Sequence, residues 1–223
     1  MKKAPILGLF LLLIPGVLFS APALYEEGTH YVELQIPIRT RTPDKVEVTE
    51  FFSYGCPACF LFDSKINEWA SGQDDDVVFN RTPATWNRDY LVYAQTYYTA
   101  EVMGILDQAH TALFRAIHLQ EKQLNDPQEM ARFFSEFGVE PVDFARVYNS
   151  FGIRASVQQA EARGRGYRSA SVPSIIVNGK YRIEGDMAGS NDEMLKVADF
   201  LVARERSLMS EESDMADEAA SEP

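Results

Sequence analysis

The only two cysteines of the chain lie with two residues between them, in Glu50-Phe51-Phe52-Ser53-Tyr54-Gly55-Cys56-Pro57-Ala58-Cys59-Phe60-Leu61-Phe62. They fall where an apolar, strand-like run gives way to a helical pattern. A disulfide that closes so short a loop removes little entropy from the unfolded chain, so a purely structural staple is a poor explanation of the pair. A Cys-x-x-Cys beside a βαβ pattern reads instead as a dithiol that cycles between reduced and disulfide forms. The alternative is half of a zinc site. That site needs further Cys or His ligands, and only His30, His110 and His118 remain, none at a short paired spacing to another.

The compartment implied by the leader agrees with this chemistry. Met1-Lys2-Lys3, an apolar stretch from Ile6 to Phe19 and Ala21-Pro22-Ala23 form a secretory signal peptide, with the cut expected after Ala23. The stretch is short for a membrane span and contains Pro15 and Gly16. The remaining chain carries 19 basic against 33 acidic residues, a net charge of about −14, which disfavours a nucleic-acid partner. Ser210 to Pro223 holds six acids and no base, and reads as a disordered acidic tail over 207–223.

Between these ends the pattern is β, βαβ, a helical block, then ββα. Tyr31 to Ile38 alternates as an edge strand with Pro37 at its end. Val46 to Phe52 is β-branched and aromatic, and period two sets Glu50 on one face with Val46, Val48 and Phe52. A carboxylate in that row is partly desolvated, which raises its pKa and makes it a candidate proton acceptor; an edge position in water is the alternative. Pro57 suits a first helical turn, which places Cys56 at the helix N-terminus. Free amides and the helix dipole favour an anion there, so Cys56 is the acidic, accessible thiol and Cys59 the sheltered one. Val77 to Arg81 is a buried strand.

From Arg88 to Gly166 the spacing is helical, with segments near 88–102, 105–119, 127–137, 141–151 and 153–164, Asp126-Pro127 as a start, and Gly138 and Gly152 as stops. Tyr90, Tyr93, Tyr97 and Tyr98 form a core stripe with polar tips. His110 and His118 read as ordinary helix residues. Strands return across Ser171 to Ile183, with Asn178-Gly179 as the hairpin turn. Ser190 to Glu193 is a capping box that opens a last helix to Arg206. The segments divide as a sheet-forming part over 24–87, a helical insertion over 88–166 and a second sheet-forming part over 167–206.

In these features together the sequence resembles the thioredoxin-fold disulfide oxidoreductases, and within them the periplasmic DsbA type. The resemblance rests on Tyr25-Glu26-Glu27-Gly28, Glu50-Phe51-Phe52-Ser53, Cys56-Pro57-Ala58-Cys59, the helical insertion, and Val172-Pro173 with Val177-Asn178-Gly179-Lys180-Tyr181, and covers 24 to 206. It implies an α/β thioredoxin fold with an inserted helical domain. It also implies that Cys56 exchanges disulfides with reduced exported polypeptides while Cys59 resolves the mixed disulfide. Val172 presents backbone groups to the substrate before a cis Pro173, with Pro57 and Ala58 on the same binding face. Glu50 matches the family's buried acid, and Arg81 falls near its partner. A DsbB-type membrane oxidase restores the disulfide, no metal or organic cofactor is needed, and with no dimerisation segment the expected state is a monomer. One departure stands out: the commonest oxidases of the family have histidine at the position of Ala58, so this chain is expected to be a milder oxidant. A thiol reductase or isomerase, and a non-catalytic peptide-binding module, are the competing readings.

Overall fold

The computed structural model describes residues 24–221, so the proposed signal peptide lies outside the described residues. Five strands form one sheet: β1 (Val32–Glu33), β2 (Val46–Phe52), β3 (Val77–Pro83), β4 (Ser174–Val177) and β5 (Tyr181–Glu184), in the spatial order β1-β5-β4-β2-β3. Only β2 and β3 run parallel, joined through helix α1 (Pro57–Ser71) as a parallel pair requires; the other pairings are antiparallel. Every residue of β2 is buried, because neighbours flank it on both sides and helices cover both faces.

A helical block separates β3 from β4: α2 (Arg88–Val102), α3 (Leu106–His118), α4 (Pro127–Phe134), α5 (Pro141–Tyr148) and α6 (Phe151–Tyr167). After β5 come the short α7 (Gly185–Ala188) and the long α8 (Asn191–Ser221). One sheet face packs against α8 and α1 through Val46, Val48, Phe62, Ile66, Ile175, Val177, Ile183, Val197 and Leu201. A second core lies within the helical block and takes in Phe52, Tyr54, Cys56 and Cys59. The dithiol therefore sits where the sheet unit and the inserted helices meet. Tyr93, Tyr97 and Tyr98 are buried in that second core and Tyr90 packs against it, as their helical spacing implies.

The β4–β5 turn forms as expected, with Asn178 and Gly179 both left-handed at φ 48° and 64°. An alanine Cβ at Gly179 would lie 1.9 Å from the Ile38 carbonyl oxygen, so this turn admits only glycine.

Four boundaries differ from the sequence reading. The edge strand expected over Tyr31 to Ile38 is reduced to Val32–Glu33; Leu34 and Ile38 still donate amides to the Lys180 and Gly179 carbonyls, at 2.7 and 2.8 Å, without a continuous ladder. The segment read as one helix over 127–137 is α4 followed by a 3₁₀ turn over Ser135–Phe137, closed at the left-handed Gly138. Gly152 does not stop a helix. It lies in the first turn of α6, whose cap is Ser150 Oγ, accepting the Ile153 amide at 3.3 Å. Finally, the helix expected to end at Arg206 continues to Ser221, so 207–221 is a helical extension where an irregular tail was expected. Arg206 anchors its base by ion pairs to Asp74 and Asp76, Met209 packs against the core, and Glu, Met and Ala are good helix formers.

Candidate active site

The site begins with the exit from β2. Ser53, Tyr54 and Gly55 turn the chain beyond the C-terminal end of β2, with the Cys56 amide donating to the Ser53 carbonyl at 3.1 Å and the Gly55 amide to Ser53 Oγ at 3.3 Å. Gly55 is required by crowding. A Cβ there would lie 2.8 Å from Tyr93 Cε2 and 3.1 Å from Tyr90 Cε1, because α2 packs directly on the turn.

Cys56 is the N-cap of α1 and Pro57 occupies its first turn, as the sequence implies. Its sulfur accepts the Cys59 backbone amide at 3.4 Å, the place an N-cap oxygen takes in other helices. The thiol donates to the Val172 carbonyl at 3.2 Å, and the Val172–Pro173 peptide bond is cis. Cys56 retains 7% exposure and Cys59 has none, while Pro57 and Ala58 are exposed beside them.

The two thiols are electrostatically unlike. A hydrogen bond from the Cys59 side chain, opposed by burial and helped by the Cys59 and Ala58 amides, lowers the Cys56 pKa to about 7. Burial first, then the neighbouring Cys56 sulfur and the charge of Glu50, pushes the Cys59 thiol well above its ordinary value. Such a pair gives one nucleophile or leaving group at neutral pH and one sulfur held in reserve.

Beneath the dithiol lies a buried charge cluster. Glu50 is 1% exposed and stands opposite Arg81 in the β2–β3 register, where Arg81 Nε donates to Oε2 at 2.7 Å and Oε1 has no partner among the described residues. Burial raises the Glu50 pKa in spite of Arg81. Arg81 also donates to Asn67 Oδ1 at 2.6 Å and reaches Asp63 Oδ1 at 3.5 Å. Asp63 accepts from Thr111 Oγ1 at 2.7 Å and lies 3.2 Å from His110 Nε2. Burial pushes Asp63 upward, but His110, Thr111 and Arg81 outweigh it and hold the carboxyl below the usual range. Burial lowers the His110 pKa, and its Nδ1 meets the Tyr54 hydroxyl at 2.7 Å. His118 Nε2 lies 2.7 Å from the Tyr54 carbonyl; since a carbonyl can only accept, that nitrogen carries the proton.

The structure thus brings Cys56, Cys59, Val172 and Pro173 together, puts Pro57 and Ala58 on the same surface, and sets Glu50 below. Asp63, His110, His118 and Tyr54 were not picked out from the sequence. Asp63 had a signal: it lies four residues after Cys59, on the same buried helical face. The histidines had none, because only the packing of α3 on α1 and the Ser53–Gly55 turn places them.

A five-stranded sheet with one parallel βαβ unit, an N-capping Cys-x-x-Cys and a cis Val172–Pro173 peptide whose carbonyl meets the first sulfur define a thioredoxin-fold thiol:disulfide oxidoreductase. The chain is a member of the DsbA family, matching the DSBA-like thioredoxin domain over residues 71–202. It is 39% identical over 187 residues to the thiol:disulfide interchange protein DsbA of Azotobacter vinelandii, which covers 84% of this chain and 87% of that protein. With the DsbA of Pseudomonas aeruginosa it shares 41% identity over 182 residues, 82% of this chain and 86% of that one. A crystal structure of the Pseudomonas aeruginosa protein superposes with a TM-score of 0.80 at 40% identity, over 83% of this chain and 97% of that one. The oxidoreductase DsbA of Xylella fastidiosa gives 0.78 at 34% identity, over 82% and 99%.

Among the described residues no group of three or more His, Cys, Asp or Glu side chains is arranged to hold a metal ion, and no helix is long and apolar enough to cross a membrane.

Proposed function

We propose that the protein is a periplasmic oxidase that gives its Cys56–Cys59 disulfide to reduced exported polypeptides. The single observation that carries this reading is the unequal pair: a helix-capping Cys56 lowered to about 7 beside a fully buried, strongly raised Cys59. Stabilising the Cys56 thiolate stabilises the reduced enzyme, which makes the disulfide easier to give away.

In the first step a substrate thiolate attacks Cys56 Sγ; the Cys56–Cys59 bond breaks and its electron pair leaves with Cys59. A buried thiolate next to Glu50 is costly, so protonated Glu50, whose pKa burial raises, supplies the proton. A second substrate thiolate then attacks the substrate sulfur of the mixed disulfide and expels Cys56 as thiolate. The substrate is oxidised by two electrons and the enzyme reduced by two. In the reverse direction Glu50 takes the proton from Cys59, which resolves the mixed disulfide. Val172 offers backbone groups to the substrate strand, and Pro173, Pro57 and Ala58 line the approach. A DsbB-like membrane oxidase restores the disulfide, the enzyme acts as a monomer, and the dithiol itself is the only redox group it uses.

One observation favours a second reading, reductase or isomerase: a Cys56 pKa of about 7 lies near the top of the range of roughly 3.5–7.5 covered by activated cysteines. The equilibrium potential of the pair in glutathione buffers separates the two. A value well above the glutathione couple, with mostly oxidised protein trapped from cells, supports the oxidase; a thioredoxin-like value with mostly reduced protein overturns it.

A further inference from the structure

The Val172 carbonyl that touches Cys56 belongs to a loop without regular structure between α6 and β4. Glu184, at the end of β5 and 8% exposed, grips that loop. Its Oε1 accepts the Ser169 hydroxyl at 2.6 Å, the Ala170 amide at 3.3 Å and the Ser171 hydroxyl at 3.3 Å, while Oε2 lies 3.2 Å from Arg182 Nε. Arg182 extends the grip backward, donating from Nη1 to the Tyr167 carbonyl at 3.1 Å and to that of Arg168. The β4–β5 register sets Glu184 opposite Ser174, whose hydroxyl is 2.8 Å from the Ser171 carbonyl. The next residue after Ser171 is Val172.

A buried carboxylate is tolerated only where donors converge on it, and charge-assisted bonds are stronger and geometrically stricter than neutral ones. Here the donors are three consecutive residues of one loop, so the same contacts that satisfy the carboxylate fix the backbone leading into Val172. Apolar residues at 169 and 171 would fill that space equally well but would leave Glu184 with only a backbone amide and Arg182.

We infer that Glu184 is a positioning residue for substrate: through Ser169, Ala170 and Ser171 it holds the Val172 backbone at the height where an incoming polypeptide strand pairs with it beside Cys56. This rests on the role given to Val172 under Proposed function. Electron transfer itself depends on the N-terminus of α1, which Glu184 does not touch. Loosening the loop therefore weakens capture of an extended chain far more than exchange with a small dithiol, which needs no strand pairing and meets the loop only through the Val172 carbonyl on Cys56.

The test compares Glu184→Gln and Ser169→Ala with the unaltered enzyme, using a two-cysteine peptide and dithiothreitol as reductants, with thiolate titration of Cys56 in parallel. Glu184→Gln is expected to raise the KM for the peptide about tenfold, the equivalent of one lost charged hydrogen bond, with kcat and the dithiothreitol rate changed by less than about twofold. Ser169→Ala removes the shortest of the three bonds to Glu184 together with the Ser169 contacts to Ser171 and Ser174 that brace the same loop, and is expected to raise KM about threefold in the same pattern; it decides the matter if Glu184→Gln does not fold. An unchanged peptide KM overturns the inference, as does a parallel loss of peptide and dithiothreitol rates, which would mean general damage to the site. If the unaltered enzyme oxidises neither reductant, the proposed function itself fails, and the inference with it.

Discussion

Arg81 Nε lies 2.7 Å from Glu50 Oε2 across paired strands, and the other carboxylate oxygen of Glu50 has no partner among the described residues. The cation holds the acid in place without satisfying it, which leaves one oxygen available for proton exchange. Glu50→Gln keeps the shape and still accepts from Arg81, but it cannot take a proton. Release of a preformed mixed disulfide by Cys59 is expected to slow on the order of 10²-fold, as for loss of a general base. Alkylation of Cys56 at neutral pH should not slow, since the Glu50 charge raises that thiol. Rapid-quench analysis of the mixed disulfide gives the answer, and an unaltered release rate would remove Glu50 from the mechanism.

The Cys56 thiol also makes the stability of the reduced protein depend on pH. Its pKa is lowered to about 7 in the folded state and returns to about 8.5 when unfolded. Between these values the unfolded chain holds a proton that the folded one has lost, so stability rises with pH across that window. It is fully present above about 8.5 and lost as pH falls through about 7, by about 2 kcal/mol in all. The disulfide form, which has no thiol to titrate, serves as control: urea unfolding of the two forms at pH 6 and about 8, below the range where the raised Cys59 thiol acts in the opposite sense, should show the gain in the reduced form alone.

Ala58 is exposed in the first turn of α1 and contributes only its backbone amide to the Cys56 sulfur. Ala58→His adds a ring N–H and, when protonated, a positive charge. A fall of one to two units in the Cys56 pKa is expected, which raises the reduction potential by roughly 30–60 mV at about 30 mV per unit. Glutathione equilibration of both proteins measures this. A lowered pKa with an unmoved potential would show that the thiolate does not set the redox poise.

How much of this was legible in the sequence follows from distance along the chain. The cysteine pair, its helix-capping geometry, Glu50 in the central strand and the Asn178-Gly179 turn all depend on residues within a few positions of one another. Tyr54 meets His110 and His118 across 56 and 64 residues, and Thr111 meets Asp63 across 48, so nothing local announces them. Glu184 illustrates the same limit: an acid at the end of a short strand looks solvated until the fold brings Ser169 to Ser171 against it. Gly152 misled in the opposite way. Its neighbour Ser150 supplied the true cap, and a glycine in a first helical turn stops nothing.

Arg81 pairs with both Glu50 and Asp63, which are 1% and 4% exposed at their side chains. Arg81→Met keeps much of the packing and removes the charge, leaving two carboxylates without their shared cation. A loss of about 3–5 kcal/mol at neutral pH is expected, the usual cost of breaking a buried pair from one side. The sign of the pH dependence identifies the cause. Without the cation the folded-state pKa of Glu50, already raised by burial, climbs further above its unfolded value near 4, while His110 and Thr111 still hold Asp63 down; a group with a raised pKa contributes its stability below the unfolded value and loses it as pH rises through the folded one. The deficit of Arg81→Met should therefore be small near pH 4 and grow toward neutrality. Adding Glu50→Gln removes one of the two stranded charges, so the double variant should be more stable at pH 7 than Arg81→Met alone. Urea unfolding of the single and double variants across this range tests both statements; a deficit independent of pH would mean that Arg81 acts through packing and not through its charge.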